Sequence, residues 1–318
     1  MPPKIFDLSG KRIWVAGHRG MVGGAVLRRL SREPCELLTV GRQDLDLTRQ
    51  AEVERWVDRE RPDAVVLCAA RVGGIHANKS FPAEFLITNL LIGANVIGAC
   101  HRAGVQRLVN LGSSCMYPLQ APQPVSEASL MTGLPEPTNE AYAVAKIAVA
   151  KLAASFAQQY QADFITAVPT NLYGPGDNFD PLMSHVAPAL MRRMVEARDQ
   201  GADQVVIWGT GNPRRELMYV DDAADAIVHV MERYRDLQPV NIGTGVDVSI
   251  AELAHLTAKV VGYSGRLVFD ASKPDGAPRR LLDSSKLEAL GWRARTELAD
   301  GLGGMYRWFC DNRTDKTA

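Results

Sequence analysis

Tyr142 and Lys146 stand four residues apart in the run Tyr142-Ala143-Val144-Ala145-Lys146. On a helix this spacing puts both side chains on one face, one turn apart. An ammonium beside a phenol favours the phenolate, so the pair predicts a tyrosine pKa below its ordinary value of about 10. A phenol tuned in this way exchanges protons near neutral pH, as carbonyl reduction requires. Alone, the spacing fits a core tyrosine and a surface lysine equally well. It gains weight from Gly112-Ser113-Ser114-Cys115, about thirty residues upstream. A serine hydroxyl at a strand end can hydrogen-bond a carbonyl oxygen and share its developing charge. The bland alternative is a turn of small residues.

Cys115 reads either as an inert small hydrophobe or as a base, because a thiol ionises near about 8.5 without help. His185, in Ser184-His185-Val186, can cap, pack, or return a proton near neutrality. A thiolate base with an imidazole acid suits removal and replacement of protons beside a ketone.

Upstream, Gly17-x-x-Gly20-x-x-Gly23 follows an apolar strand and opens a helical pattern. Glycines there let the backbone approach a pyrophosphate, whose charge meets the helix N-terminus. Arg19 within the turn can add charge to the phosphates. At the end of the second strand, an acidic residue would hold ribose hydroxyls, whereas an arginine accommodates a 2′-phosphate. Gly41-Arg42 occupies that place, which favours NADP(H) over NAD. Asp46-Leu47 follows, placed to contact adenine.

Several elements must position these groups. Strands are expected at Arg12 to Ala16, Leu37 to Val40, Ala64 to Ala69, Arg107 to Leu111 and Phe164 to Val168. Helices are expected after the glycine turn, through Val53 and Trp56, from Leu86 to Ala103, and from Tyr142 to about Gln159. Such alternation predicts a parallel sheet covered on both faces, a Rossmann-type doubly wound α/β domain. Five prolines between Tyr117 and Asn139 predict a loop. The expected organisation is a dinucleotide-binding domain over 1–175, with a later segment near 217–248 returning to it. A smaller α/β substrate-binding lobe occupies most of 176–318.

Bulk properties narrow the function classes. The chain has 318 residues, with 36 basic and 36 acidic side chains. No basic excess points to nucleic acid. No apolar run is expected to span a membrane, and the first residues lack a secretory apolar region. Five scattered cysteines (Cys35, Cys68, Cys100, Cys115, Cys310) suggest free thiols in a reducing cytoplasm, with no disulfide framework or metal site.

With these motifs in place the chain resembles the GDP-L-fucose synthase family of extended short-chain dehydrogenase/reductases, over almost its whole length. Matching segments include Ala16 to Gly23, Val72-Gly73-Gly74-Ile75, Leu111 to Cys115, Glu136 to Glu140, Pro169 to Pro175, Ser184-His185-Val186, Trp208-Gly209 and Asp270 to Gly276. The resemblance implies two-stage chemistry on GDP-4-keto-6-deoxy-D-mannose. Cys115 takes protons from C3 and C5, and His185 returns them from the opposite side. Tyr142 and Ser113 hold the enolate charge. Tyr142 then protonates the C4 oxygen as NADPH reduces C4, with Lys146 on the nicotinamide ribose.

The resemblance further places Gly17, Arg19, Gly20, Met21, Val22, Gly23, Arg42, Asp46, Leu47, Lys146, Pro169, Asn171, Leu172 and His185 against the cofactor. It places Arg193, Trp208, Arg215 and Asp275 against the nucleotide sugar. It also implies a homodimer in which the Leu86 and Tyr142 helices form a four-helix bundle with their copies. Departures from the family pattern are Arg71, Asp180, Pro181 to Ser184, and Leu217. They bear on which GDP-sugar is taken, for example a dideoxyhexose or a 6-deoxyheptose, more than on the reaction type. A non-catalytic NADP-sensing relative is the reading from another class; the intact Tyr142 and Lys146 argue against it.

Overall fold

The computed structural model describes residues 2–313 apart from Leu182 and Pro274, and apart from the side chains of Ile75 and His76. Leu182 and Pro274 belong to segments singled out above and lie outside the described residues.

The first half of the chain alternates strand and helix. β1 (Arg12–Ala16) leads to α1 (Met21–Leu30), β2 (Glu36–Leu38), α2 (Gln50–Glu60), β3 (Ala64–Leu67), α3 (Ile75–Ser80) and α4 (Pro82–Arg102). Then come β4 (Arg107–Leu111), α5 (Glu140–Tyr160) and β5 (Phe164–Pro169). These five strands and a later one, β9 (Val240–Ile242), form a six-stranded sheet in the order β2-β1-β3-β4-β5-β9. Every pairing in it is parallel.

Parallel strands buried on both faces need apolar residues at both parities, and β1 supplies them. Ile13 and Val15 join a core with α1 and α7 (Val220–Arg233) on one face. Trp14 and Ala16 join a second core with α2, α4 and α5 on the other. The strand order reverses between β1 and β3, and such a switch point is where doubly wound sheets open a ligand crevice at the C-terminal strand ends. The expected fold class is therefore the observed one. Strand β2 is shorter than expected, ending at Leu38; the chain turns away there toward Gly41.

Beyond β5 the chain builds smaller sheets. Its elements are β6 (Asn171–Tyr173), α6 (Val186–Asp199), β7 (Gln204–Trp208), β8 (Arg214–Tyr219), α7 (Val220–Arg233), β9 (Val240–Ile242), β10 (Asp247–Ser249), α8 (Ile250–Val261), β11 (Arg266–Asp270), β12 (Arg279–Arg280), α9 (Ser285–Ala289) and α10 (Leu298–Asn312). Strand β8 pairs with β6, β10 and β12, and β7 pairs with β11. A separate core, including Met191, Leu253 and Leu302, lies among α6, α8 and α10. The departure Leu217 is buried in this core, packed away from solvent. Straight after β8 the chain crosses back: α7 packs on α1 and β9 completes the main sheet.

By length and composition α4 is apolar enough to cross a membrane, with a mean hydropathy of 1.5 over its best window. Its apolar character has two sources. Phe85, Ile92, Val96, Ile97 and Cys100 are buried in the domain. On the outer side Ile87, Leu91, Ala94 and Gly98 follow a helical i, i+4, i+7, i+11 stripe. Ile87 and Leu91 are exposed there, and a Cβ on Gly98 would meet nothing within 4 Å.

Candidate active site

The glycine turn is shaped by contacts that only glycine permits. Gly17 has φ +91°, and a Cβ there would stand 2.6 Å from the backbone nitrogen of Ala69, just past β3. A Cβ on Gly23 would stand 2.2 Å from the carbonyl oxygen of Gly17. Gly20 caps α1, and the first turn of that helix has no acidic residue. The opening N–H groups of a helix have no intrahelical partner and carry partial positive charge. Met21 and Val22 occupy this first turn, half-buried against the core under α1.

Arg19 reaches from the turn to the end of β2, where a Cβ on Gly41 would meet its guanidinium at 3.0 Å. Arg19, Gly41, His18, Asp44 and Trp56 line a cleft of about 520 Å³. Arg42 beside it is exposed, so Arg19, which the sequence offered only to the phosphates of the glycine turn, reaches the end of β2 as well. Asp46 accepts from the backbone N–H and the hydroxyl of Thr48 at 3.0 and 2.8 Å. These bonds first, and Arg42 and Arg49 after them, hold its pKa low. The carbonyl of Leu47 accepts from Asn95 of α4 at 2.9 Å, tying this turn to the domain.

At the C-terminal end of β4 the chain turns into Ser113 and Cys115. The Ser113 hydroxyl accepts from the Cys115 N–H at 3.3 Å and also hydrogen-bonds Tyr142. The Tyr142 ring stands edge-on to Phe85, 6.3 Å between centroids. Lys146 is only 6% exposed; its Nζ donates to the carbonyl of Leu111 at 2.8 Å and lies 5.9 Å from the centre of the Tyr142 ring.

The tyrosine pKa goes the opposite way to the sequence expectation. Burial raises it most, the negative charge of Cys115 adds to the rise, and only the Ser113 hydrogen bond opposes them. The ammonium is turned to a backbone carbonyl, and it is itself destabilised: burial lowers the Lys146 pKa to about 8, against a small opposing effect of Cys68. Tyr142 is thus a firmly protonated phenol at neutral pH, the form that gives a proton.

His185 caps α6. Its segment lies on the glycine pair after β3, with Gly74 N donating to the Met183 carbonyl at 3.0 Å. A Cβ on Gly74 would meet the Ser184 carbonyl at 2.9 Å. Neighbouring atoms crowd the imidazole and lower its pKa by desolvation, yet the residue keeps an exposed surface. Asp180 accepts from the Met183 N–H at 3.0 Å, shaping the turn that leads to His185.

Pro169 ends β5. Beyond it Thr170 and Asn171 donate to the carbonyl of Glu216 at 3.3 and 3.1 Å, and Leu172 packs on the main core. Arg193 and Lys273 each stand 5.8 Å from the Trp208 ring centre. Trp208, 63% exposed, lines a cleft of about 370 Å³ with Arg193, Glu196 and Val206. Asp275 accepts from the N–H and hydroxyl of Thr210 at 2.9 and 2.7 Å, which folds its loop over the end of β7.

Arg215 donates to the carbonyls of Arg214 and Ala277 at 2.8 and 2.6 Å. Burial lowers its pKa most, Arg280 lowers it further, and Asp275 and Cys115 oppose them. Arg280 was not singled out in the sequence. It is 7% exposed and feels the charges of Cys115 and Glu136. Asn139, also not assigned a role from sequence, donates to the Cys115 sulfur at 3.2 Å. Their only sequence signal was membership of segments already matched or adjoining. Buried Glu216 ties this region together, accepting from the backbone N–H of Thr244, Gly245 and Leu282 at 2.6, 2.8 and 2.9 Å.

Comparison with known proteins bears on this geometry. Residues 13–243 match the NAD dependent epimerase/dehydratase family. The GDP-L-fucose synthase of Sinorhizobium fredii is 52% identical over 311 residues, covering 98% of this chain and 99% of that protein. A GDP-6-OMe-4-keto-L-xylo-heptose reductase from C. jejuni has a structure similar at a TM-score of 0.88 and 36% identity, covering 96% of this chain and 99% of that one. A GDP-L-fucose synthetase from Naegleria fowleri bound to NADP is similar at a TM-score of 0.88 and 28% identity, over 98% of this chain and 97% of that one.

Proposed function

Because the chain belongs to the NAD dependent epimerase/dehydratase family, and within it to the GDP-L-fucose synthases, we propose that it converts GDP-4-keto-6-deoxy-D-mannose to GDP-L-fucose by 3,5-epimerisation and NADPH-dependent 4-reduction. The observation that carries this reading is the meeting of Ser113, Cys115, Tyr142 and Lys146 at the end of β4, beside a glycine turn that opens the N-terminus of α1.

The residues fit NADP(H). Gly17, Gly20 and Gly23 leave room for a pyrophosphate, and the N–H groups of Met21, Val22 and Gly23 meet its charge. Arg19 and Arg42 take the 2′-phosphate. Asp46 and Leu47 border the adenine, and Pro169, Asn171, Leu172 and His185 border the nicotinamide end. An ammonium has three protons, and Leu111 takes one, so Lys146 keeps two for ribose hydroxyls. When bound, NADPH supplies the hydride to C4.

The protein supplies the protons. Cys115 removes those at C3 and C5, which the C4 ketone acidifies. Ser113 and Tyr142 donate to the C4 oxygen and spread the enolate charge. His185 returns protons from the other face; desolvation keeps it mostly neutral in the free protein, and an adjacent enolate raises its pKa and charges it. Tyr142 finally gives its proton to the C4 oxygen.

Arg193 and Trp208 hold the guanine, by stacking and a planar guanidinium edge. Arg215, with Arg280 beside it, takes the diphosphate, and Asp275 orders the loop and accepts from hydroxyls. The sugar-binding lobe spans most of 176–318, with 217–248 returning to the dinucleotide domain over 1–175. The exposed Ile87, Leu91 and Val144 support a homodimer through a four-helix bundle of α4 and α5. All five cysteines are free, which suits the cytoplasm.

A second reading keeps the chemistry and changes the sugar to a related GDP-4-keto deoxysugar. The likeness to a heptose reductase favours it, as does Arg71, whose guanidinium lies over Phe81 and Phe85 at 5.6 and 5.3 Å beside Tyr142. Incubation with GDP-4-keto-6-deoxy-D-mannose and NADPH, with NMR of the product, separates the two. In heavy water Cys115→Ser should lose deuterium uptake at C3 and C5; undiminished uptake removes it as the base.

A further inference from the structure

Asn139 precedes α5 and occupies its N-cap. There an asparagine side chain normally accepts from the N–H of the second or third helical residue. Asn139 makes no such bond. Its Nδ2 instead donates to the sulfur of Cys115 at 3.2 Å. Its Oδ1 is buried without a hydrogen-bond partner. A cap has been forgone and an amide oxygen left unpaired, both of which cost stability. A side chain held this way is explained by what it touches. The backbone contributes: Asn139 has φ −131° and ψ 20°, and its N–H donates to Glu136 at 3.2 Å.

The geometry points to Asn139 as the positioning residue of the epimerisation base: its amide donates to the Cys115 sulfur and aims it at the sugar. This rests on Cys115 being that base. The titratable and charged groups around the sulfur are Tyr142 of α5, Arg215 of β8 and Arg280 of β12, with Glu136 beside Arg280. Tyr142 is neutral at working pH. Among the described residues Asn139 is the one whose side chain hydrogen-bonds the sulfur. A thiolate can only accept, so the Nδ2 donor matches the charged form.

The test is alkylation of Cys115 by iodoacetamide across pH, read by peptide mass spectrometry in the full-length protein. Asn139→Ala should move the midpoint of that profile upward by about one pH unit, a tenfold loss of reactivity at neutral pH, as expected for losing one bond to a charged group. Asn139→Asp, of the same shape but without the donor and with like charge, should move it further. In both variants deuterium uptake at C3 and C5 should fall at pH 7 and recover as pH rises, while NADPH affinity holds. A purely structural role would lower uptake equally at every pH. Unmoved alkylation midpoints in both variants overturn the inference, even if Cys115→Ser abolishes uptake. If instead Cys115→Ser retains uptake while the midpoints shift, the contact stands and the base assignment fails.

Discussion

Lys146 offers a test in which function and stability pull apart. Its ammonium is buried and holds one backbone carbonyl. A pKa lowered from 10.5 to about 8 means that keeping this lysine charged costs the folded state about 3 kcal/mol below pH 8. In Lys146→Met that cost vanishes. The variant loses the charge-assisted bond to the Leu111 oxygen, worth about 2 kcal/mol. The net expectation at pH 7 is a protein more stable by about 1 kcal/mol, with a melting temperature higher by about 2 °C, and at least about 100-fold less active in reduction.

The sign follows from proton linkage. Between pH 8 and 10.5 the unfolded chain holds a proton on Lys146 that the folded chain has released, so stability rises with pH through that window. The penalty is complete below pH 8 and relieved above it, and the advantage of Lys146→Met should shrink as pH climbs toward 10. Thermal melts and urea titrations of both proteins from pH 7 to 10 measure this. A variant less stable than the parent at pH 7, or one whose advantage is constant with pH, refutes the argument that burial dominates this side chain.

Tyr142→Phe should abolish NADPH-dependent reduction, because it removes the proton donor, and slow deuterium uptake at C3 and C5 without abolishing it, because Ser113 remains to hold the enolate charge; full NADPH turnover would remove it as the proton donor. Arg42→Ala and Arg19→Ala should each weaken NADPH by about 10- to 100-fold, the loss of one charge-assisted bond, and leave NADH unaffected in fluorescence titrations. Equal losses for both dinucleotides would make these arginines bystanders to the 2′-phosphate. Leu91→Glu places a charge in the exposed stripe of α4 and should halve the mass seen by light scattering with stability changed by less than about 0.5 kcal/mol; an unchanged mass moves the interface elsewhere.

The sequence by itself determined what depends on near neighbours along the chain. Strands β1 and β4 begin and end where their apolar runs do, because side-chain alternation and burial are local patterns. Helical periodicity put Tyr142 and Lys146 on one face of α5. Chain alternation led to the doubly wound sheet, because right-handed crossovers leave few other arrangements. The tertiary structure decided what depends on distance through space. Whether the ammonium of Lys146 faces a phenol or a carbonyl is settled by where β4 ends beneath it, and the sign of the Tyr142 shift follows from burial that no spacing reports. Asn139 meets Cys115 across 24 residues of loop, and Arg280 comes from β12 at the far end of the chain to the same sulfur. Desolvation and charge act between groups brought together by folding, so a linear pattern could nominate the residues but not give the direction in which each perturbs its neighbours.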